Sequence, residues 1–233
     1  MFSLPVLIAQ LFGSEGSLNK VKIGPDLMHG KFFINLIGVT SVKKYITISA
    51  CGLSCELCPR YYTEGTSRCP GCGSEYRICV GCPIITCCVK GKGLETCAEC
   101  TDFPCQKYTH VLRGEEYDSF VTHRKALPNL YFIKKHGIVA HARKIKERAK
   151  LLKQMLKKFN DRRSRSFYCV ATTLLPIEAL ERSLNDAKKK VGEERIGSKD
   201  LKSCAKILKE VIDEVAKKEK VDLKLRKPPH WKK

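Results

Sequence analysis

From Ile138 onward, apolar side chains recur at Ala142, Ile145, Ala149, Leu152, Leu156 and Phe159, in alternating steps of four and three. That spacing keeps them on one stripe of a helix, so IVAHARKIKERAKLLKQMLKKF is expected to be long and amphipathic, ended by the polar run NDRRSRS. A second stripe, Ile177, Leu180, Leu184, Ala187 and Val191, predicts a helix from Pro176 to Val191 with Gly192 as its stop. A third predicts a helix capped by Ser198, with Leu201, Ala205, Leu208, Val211 or Ile212, and Val215 inward and Cys204 on the same stripe. Shorter helices are expected over Asp118–Ala126 and Asn129–His136, the latter begun by Pro128 and closed by Gly137. Helical hairpins packed on such stripes form a small bundle.

The first half follows a different pattern. Val42 to Ala50 (VKKYITISA) alternates as a strand does. Residues 51–105 then offer only scattered large apolar side chains, among them Leu53, Leu57, Tyr61, Ile78, Ile84, Ile85 and Phe103. A module of this size with so little to bury is marginal without staples. Residues 1–43 form glycine-punctuated apolar runs with no periodicity. They are read as an extension, with translation expected to begin at or near Val42.

Cysteine supplies the staples. Twelve of the fourteen lie between Cys51 and Cys105. Four C-x2-C pairs occur: Cys55/Cys58, Cys69/Cys72, Cys79/Cys82 and Cys97/Cys100; Cys51, Cys87, Cys88 and Cys105 remain over. Each pair places two thiolates within reach of one tetrahedral ion. Two full sites and a looser third, completed by His110, are expected; adjacent Cys87 and Cys88 would not serve one ion together. CPGCG is the glycine-tolerant knuckle of structural zinc, and CVGC followed by CAEC has ribbon-like spacing. Cys58-Pro59 and Cys82-Pro83 instead match the Cys-Pro that closes ferredoxin cluster motifs, so [4Fe-4S] clusters stand as the alternative to zinc. The C-x3-C-x2-C of Cys51, Cys55 and Cys58 also signs radical S-adenosylmethionine enzymes. The barrel of alternating strands and helices that they need does not follow it. Disulfides would require an oxidising compartment or a hyperthermophilic source.

These blocks carry a resemblance. ITISACGLSCELCPRYYTEGTSRCPGCG, CPIITCC and GLETCAECTDFPC resemble an uncharacterised prokaryotic cysteine-rich family, a domain of unknown function. YDSFVTHRKALPNLYFIKKHG and FNDRRSRSFYCVATTLLP resemble the helical extension that some of its members carry, so the likeness spans about residues 44–226. It implies Cys51, Cys55, Cys58, Cys69, Cys72, Cys82, Cys87, Cys97, Cys100 and Cys105 as motif positions and no activity.

Charge sharpens the picture of the second half. The chain's formal net charge is +20, yet residues 51–110 balance, while residues 111–233 hold 33 of the 44 basic residues and 16 of the 24 acidic ones. Lys144, Arg148, Lys153 and Lys157 are expected on the outer face of the long helix, extended by Arg162, Arg163 and Arg165. Such a face suits phosphates, and Phe167, Tyr168 and Trp231 would offer stacking surfaces for single-stranded nucleic acid. Anionic lipid is a competitor, although an alanine-rich stripe suits helix packing better than insertion. His136 and His141 diverge by about 140° on a helix and make a poor metal pair. Cys169 is expected to pack. No run of about 20 apolar residues spans a membrane, and the apolar start lacks the basic flank and cleavage site of a signal peptide. A cytoplasmic location follows.

The expected fold is a small metal-stabilised cysteine-rich module of few short strands and turns, followed by an all-α helical bundle. Its divisions are an extension (1–43), a metal-binding module (44–110), a basic helical domain (111–226) and a basic tail (227–233). The expected function is binding rather than catalysis: a zinc protein whose basic helices hold RNA or a ribonucleoprotein. An iron–sulfur redox or accessory protein is the alternative, and a protein-interaction adaptor a third reading. No Ser/His/Asp set, phosphate loop or carboxylate pair stands out.

Overall fold

The computed structural model describes residues 43–74, 81–107 and 117–227. Cys79, His110, Trp231 and the expected start near Val42 lie outside them. In chain order come three 3₁₀ turns (Cys55–Leu57, Pro59–Tyr62, Gly65–Ser67) and a short helix α1 (Pro83–Ile85), which runs into a π-helical turn (Thr86–Gly91). A further 3₁₀ turn (Cys97–Glu99) precedes the helices α2 (Ala126–Lys158), α3 (Arg165–Leu174), α4 (Ile177–Glu193) and α5 (Leu201–Lys218). A cysteine-rich N-terminal region followed by helices is the architecture expected. None of the helices among the described residues is long and apolar enough to cross a membrane.

No strand forms among the described residues. The alternating segment makes one antiparallel bridge, Ile48 to Ser54, closed by Ser49 N–H to Leu53 O and Cys55 N–H to Thr47 O. Its partner is the turn that directly follows, so the ladder has nowhere to extend. Lys43, on the polar side of the alternation, is buried, its ammonium donating to the carbonyls of Ile48 and Glu95.

The C-terminal helices match the stripes closely. Leu180, Leu184 and Ala187 of α4 and Cys204, Leu208 and Ile212 of α5 are buried in one core with Leu152 and Met155 of α2 and Phe159 just after it. The cap of α5 is Asp200, not Ser198: its carboxylate accepts the Ser203 N–H at 3.1 Å, closer to the first helical turn.

Helix α3 has no counterpart among the expected elements. Its ten residues bury Tyr168, Cys169, Val170, Ala171 and Thr172, and in so short an element the apolar stripe does not stand out from its surroundings. The Tyr168 hydroxyl donates to Phe159 O and also lies 3.3 Å from Ala205 O, which removes this ring from any stacking surface. Arg148 likewise leaves the outer face. It is half-buried, and its guanidinium donates to Thr172 O (2.6 Å) and Leu175 O (2.8 Å), satisfying carbonyls at the C-terminal end of α3. A cation there also suits the helix dipole.

Gly137 does interrupt the helix as expected (φ 82, ψ 159), but the helix resumes at once, so α2 has two arms. The arms divide between two cores, although Ile138 and Ala142 at the start of the second arm still pack on the first core. Leu130 and Ile133 of the first arm pack with Ile48, Ala50, Ile84, Ile85 and Phe103 of the cysteine-rich region. Ile145, Ala149, Leu152 and Met155 of the second belong to the helical core. The cysteine-rich region thus completes its core with side chains that follow it in sequence.

Asp118–Ala126 is not a helix. The buried Asp118 carboxylate accepts the N–H groups of His123 and Arg226, the Thr122 hydroxyl and the Arg226 guanidinium, tying this segment to the C-terminal stretch around Arg226. Burial alone would raise its pKa, but the bonds from Arg226 and His123 outweigh it and hold the group below the ordinary carboxylate range. The folded pKa is therefore below the unfolded one, so this contribution is complete above about pH 4 and is lost as the pH falls through the folded value. Asp118→Ala is expected to lower unfolding free energy by about 2–3 kcal/mol in urea titrations at pH 7. The same variant should lose less stability than the parent on acidification below about pH 4.

Candidate metal centre

Two glycines show why the first thiols sit where they do. Gly52 has φ +83, and a β-carbon there would stand 2.5 Å from Ala126 O and 2.8 Å from Leu130 Cγ. The CGLSC turn can therefore press against the start of α2 only with glycine after Cys51, and Asn129 locks it by donating to Gly52 O at 2.8 Å. In the CPGCG knuckle, a β-carbon on Gly73 would lie 2.9 Å from Ile46 Cα, and the Gly73 N–H bonds to Ile46 O. The second knuckle is thereby laid against the chain leading into the first.

The result is a wall of sulfur. Cys51, Cys55, Cys58, Cys69, Cys72 and Cys82 line one cavity of about 390 Å³ between the cysteine-rich turns and α2. Cys72 N–H donates to Cys55 Sγ at 3.1 Å, and the two thiols also contact each other. That contact, followed by burial, drives the Cys55 pKa far up. Burial pushes Cys51 and Cys58 up to about 11.

Cys87, Cys88, Cys97, Cys100 and Cys105 line a second cavity of about 300 Å³. Here the Cys97 thiol donates to Cys88; this bond draws Cys88 below its usual value, Lys43 nearby adding to the effect, and raises Cys97. Lys92 Nζ stands 3.1 Å from Cys100 Sγ and 2.6 Å from Asp102 Oδ2. Cys88 is buried in the π-helical turn, while Cys87 is half-buried.

Among the described residues, no three Cys, His, Asp or Glu side chains stand close enough together to share an ion. The contacts run between pairs, Cys55 with Cys72 and Cys88 with Cys97, and Cys79 lies outside those residues. The donor set is nevertheless all thiol, soft, and assembled from separate segments, which suits zinc or iron–sulfur rather than hard cations. Cys169 and Cys204 are buried in the helical core, and burial raises the pKa of both, so neither is a reactive thiol.

The basic residues divide. Lys153, Lys157, Arg162 and Arg163 are exposed, and Arg165 is half-buried with its guanidinium 3.5 Å from Thr63 Oγ1. Lys144, also exposed, and the half-buried Arg148 line the sulfur cavity, the Lys144 ammonium 4.3 Å from the Phe132 ring centroid. Phe167 is half-buried beneath Lys209. His136 is exposed and His141 buried, so the two do not form a pair facing one ion.

The cavity's other wall, with Ser54, Lys125, Phe132 and His141, is not marked by any motif in the sequence. One signal is present. His141 lies three residues after Ile138 and four before Ile145, on the apolar side of α2, where a polar ring requires a reason.

Gly52→Ala is expected to cost about 2 kcal/mol or more, because a left-handed residue and a steric clash coincide. Urea unfolding and thiol accessibility to a chromogenic disulfide reagent would report it, with Cys51 and Cys55 reacting faster in the variant.

No curated protein and no solved structure matches the chain. Residues 47–110, which contain all twelve clustered cysteines and none of the basic helical face, match the family model described as a protein of unknown function (DUF3795), and a domain of that family is present here.

Proposed function

We propose that the cysteine-rich domain is a metal–thiolate module, zinc the favoured ion, and that the exposed lysine face of α2 binds RNA or a ribonucleoprotein. The observation that supports the metal reading is the gathering of eleven described thiols, from separate segments of the chain, around two cavities. A zinc site contributes on the order of 10 kcal/mol to folding. That magnitude matches a module whose own apolar residues are few.

The iron–sulfur alternative draws on the six sulfurs that line one cavity, more than a single tetrahedral zinc takes. Anaerobic purification with metal and sulfide quantification separates the two. About two zinc ions per chain and a colourless protein are expected. A brown protein with stoichiometric sulfide overturns zinc, and a chain without either overturns the metal reading.

Ligating thiols must lose their protons, and Cys51 and Cys58 hold theirs to about pH 11. Zinc added to the metal-stripped, reduced protein at about pH 7 should therefore release about one proton per ligating thiol, and affinity should rise with pH. Unbuffered titration with a pH electrode measures this.

The nucleic-acid reading rests on basic side chains that make no ion pair among the described residues. None of the ion pairs among the described residues involves Lys146, Lys150, Lys153, Lys157, Arg162 or Arg163. The variant Lys150→Glu/Lys153→Glu/Lys157→Glu is expected to elute from an RNA column at lower salt, with a salt dependence shallower by about one unit for each phosphate that is no longer neutralised. Unchanged retention by the folded variant removes this reading. Arg148→Glu should instead destabilise the helical core, because Thr172 O and Leu175 O lose their donor.

A further inference from the structure

The sulfur-lined cavity has features that metal binding does not use. Arg60, Lys125, Lys144 and Arg148 all line it, and among the described residues no Asp or Glu does. The aromatic rings of Phe120 and Phe132 line it too, with Arg60 lying 4.8 Å from the first centroid and Lys144 4.3 Å from the second.

Buried side-chain polar atoms in a folded protein are nearly always paired. Among the described residues three have no hydrogen bond: Ser54 Oγ, His123 Nδ1 and His141 Nε2. All three residues line this cavity, and His141 is only 3 % exposed. Burial, reinforced by Lys144, pushes the His141 pKa down to about 4. At neutral pH its ring is therefore uncharged and presents one donor and one acceptor nitrogen. A volume of about 390 Å³ lies within the range of small-molecule sites.

We propose that this cavity binds a small organic anion, with an aromatic or apolar body against Phe120 and Phe132 and its acidic group held by Lys125 and Lys144. The unpaired hydroxyl and imidazole nitrogens supply the remaining polar contacts. The site is separate from the exposed lysine face, and it stands whichever metal the thiols hold. The competing account is that the cations serve only to offset the negative charge of metal-bound sulfur, in which case no ligand enters.

The test uses the full chain, as purified with its metal, and two dyes of the same shape. The probe 8-anilinonaphthalene-1-sulfonate carries the acidic group; N-phenyl-1-naphthylamine lacks it. The sulfonate dye is expected to bind at one saturable site per chain, and the neutral dye about tenfold more weakly. Lys125→Gln/Lys144→Gln should weaken the sulfonate dye by about tenfold and leave the neutral one unchanged. Val121→Trp, which puts an indole into the cavity from the facing loop, should abolish both, with circular dichroism and melting confirming a native fold for each variant. The proposal is overturned if the sulfonate dye does not bind or if the two dyes bind alike. It is equally overturned if either folded variant binds the sulfonate dye as the parent does.

Discussion

The contact between the CGLSC turn and the first arm of α2 holds the cysteine-rich region and the helices in one frame. Gly52 lets the turn approach Ala126 and Leu130 at a distance that no side chain at that position would permit, and Asn129 donates to the same glycine's carbonyl. Through it, the cysteine-rich region acquires Leu130 and Ile133 as core residues. Beyond Gly137, Ile138 and Ala142 still pack on that core, and from Ile145 onward the helix enters a different one. One helix serves both because it is long enough to run from the first core into the second.

This arrangement changes how the shortage of apolar residues is understood. Residues 51–105 cannot bury enough among themselves, and part of the deficit is met by α2 rather than by thiols. The thiols still require a reason. Six face a cavity whose other lining includes four cations, and five share a second cavity where Lys92 and Asp102 are paired. On the proposed metal reading, those cations offset the charge of metal-bound sulfur. The same cations account for an anionic ligand, and the unpaired Ser54, His123 and His141 atoms favour one.

Much of the helical part is legible because amphipathic periodicity is local. Leu180, Leu184 and Ala187 lie where the spacing of α4 puts them, and Cys204 lies in the core as its stripe requires. The failures have a common cause. Residues 43–50 alternate properly but, among the described residues, bridge only at Ile48 to Ser54; Asp118–Ala126 is expected to be a helix, yet its carboxylate is claimed by Arg226, 108 residues away. Helix α3 has a polar side at Arg165, Ser166 and Thr173, but over ten residues its stripe is too short to stand out.

What the sequence alone determined is the segregation: sulfur and knuckle glycines first, then cationic helices with single apolar stripes. Both follow from residue type and short-range spacing, which the chain carries with it before folding. Only the tertiary structure decided that Arg148 caps α3, that Tyr168 is buried, and that Lys144 and His141 share a cavity with six thiols. Those outcomes depend on which carbonyl, ring or sulfur another segment brings near. A cation on a helix looks alike in sequence whether it meets water or an unsatisfied carbonyl, and the approach of α3 alone made the difference at Arg148.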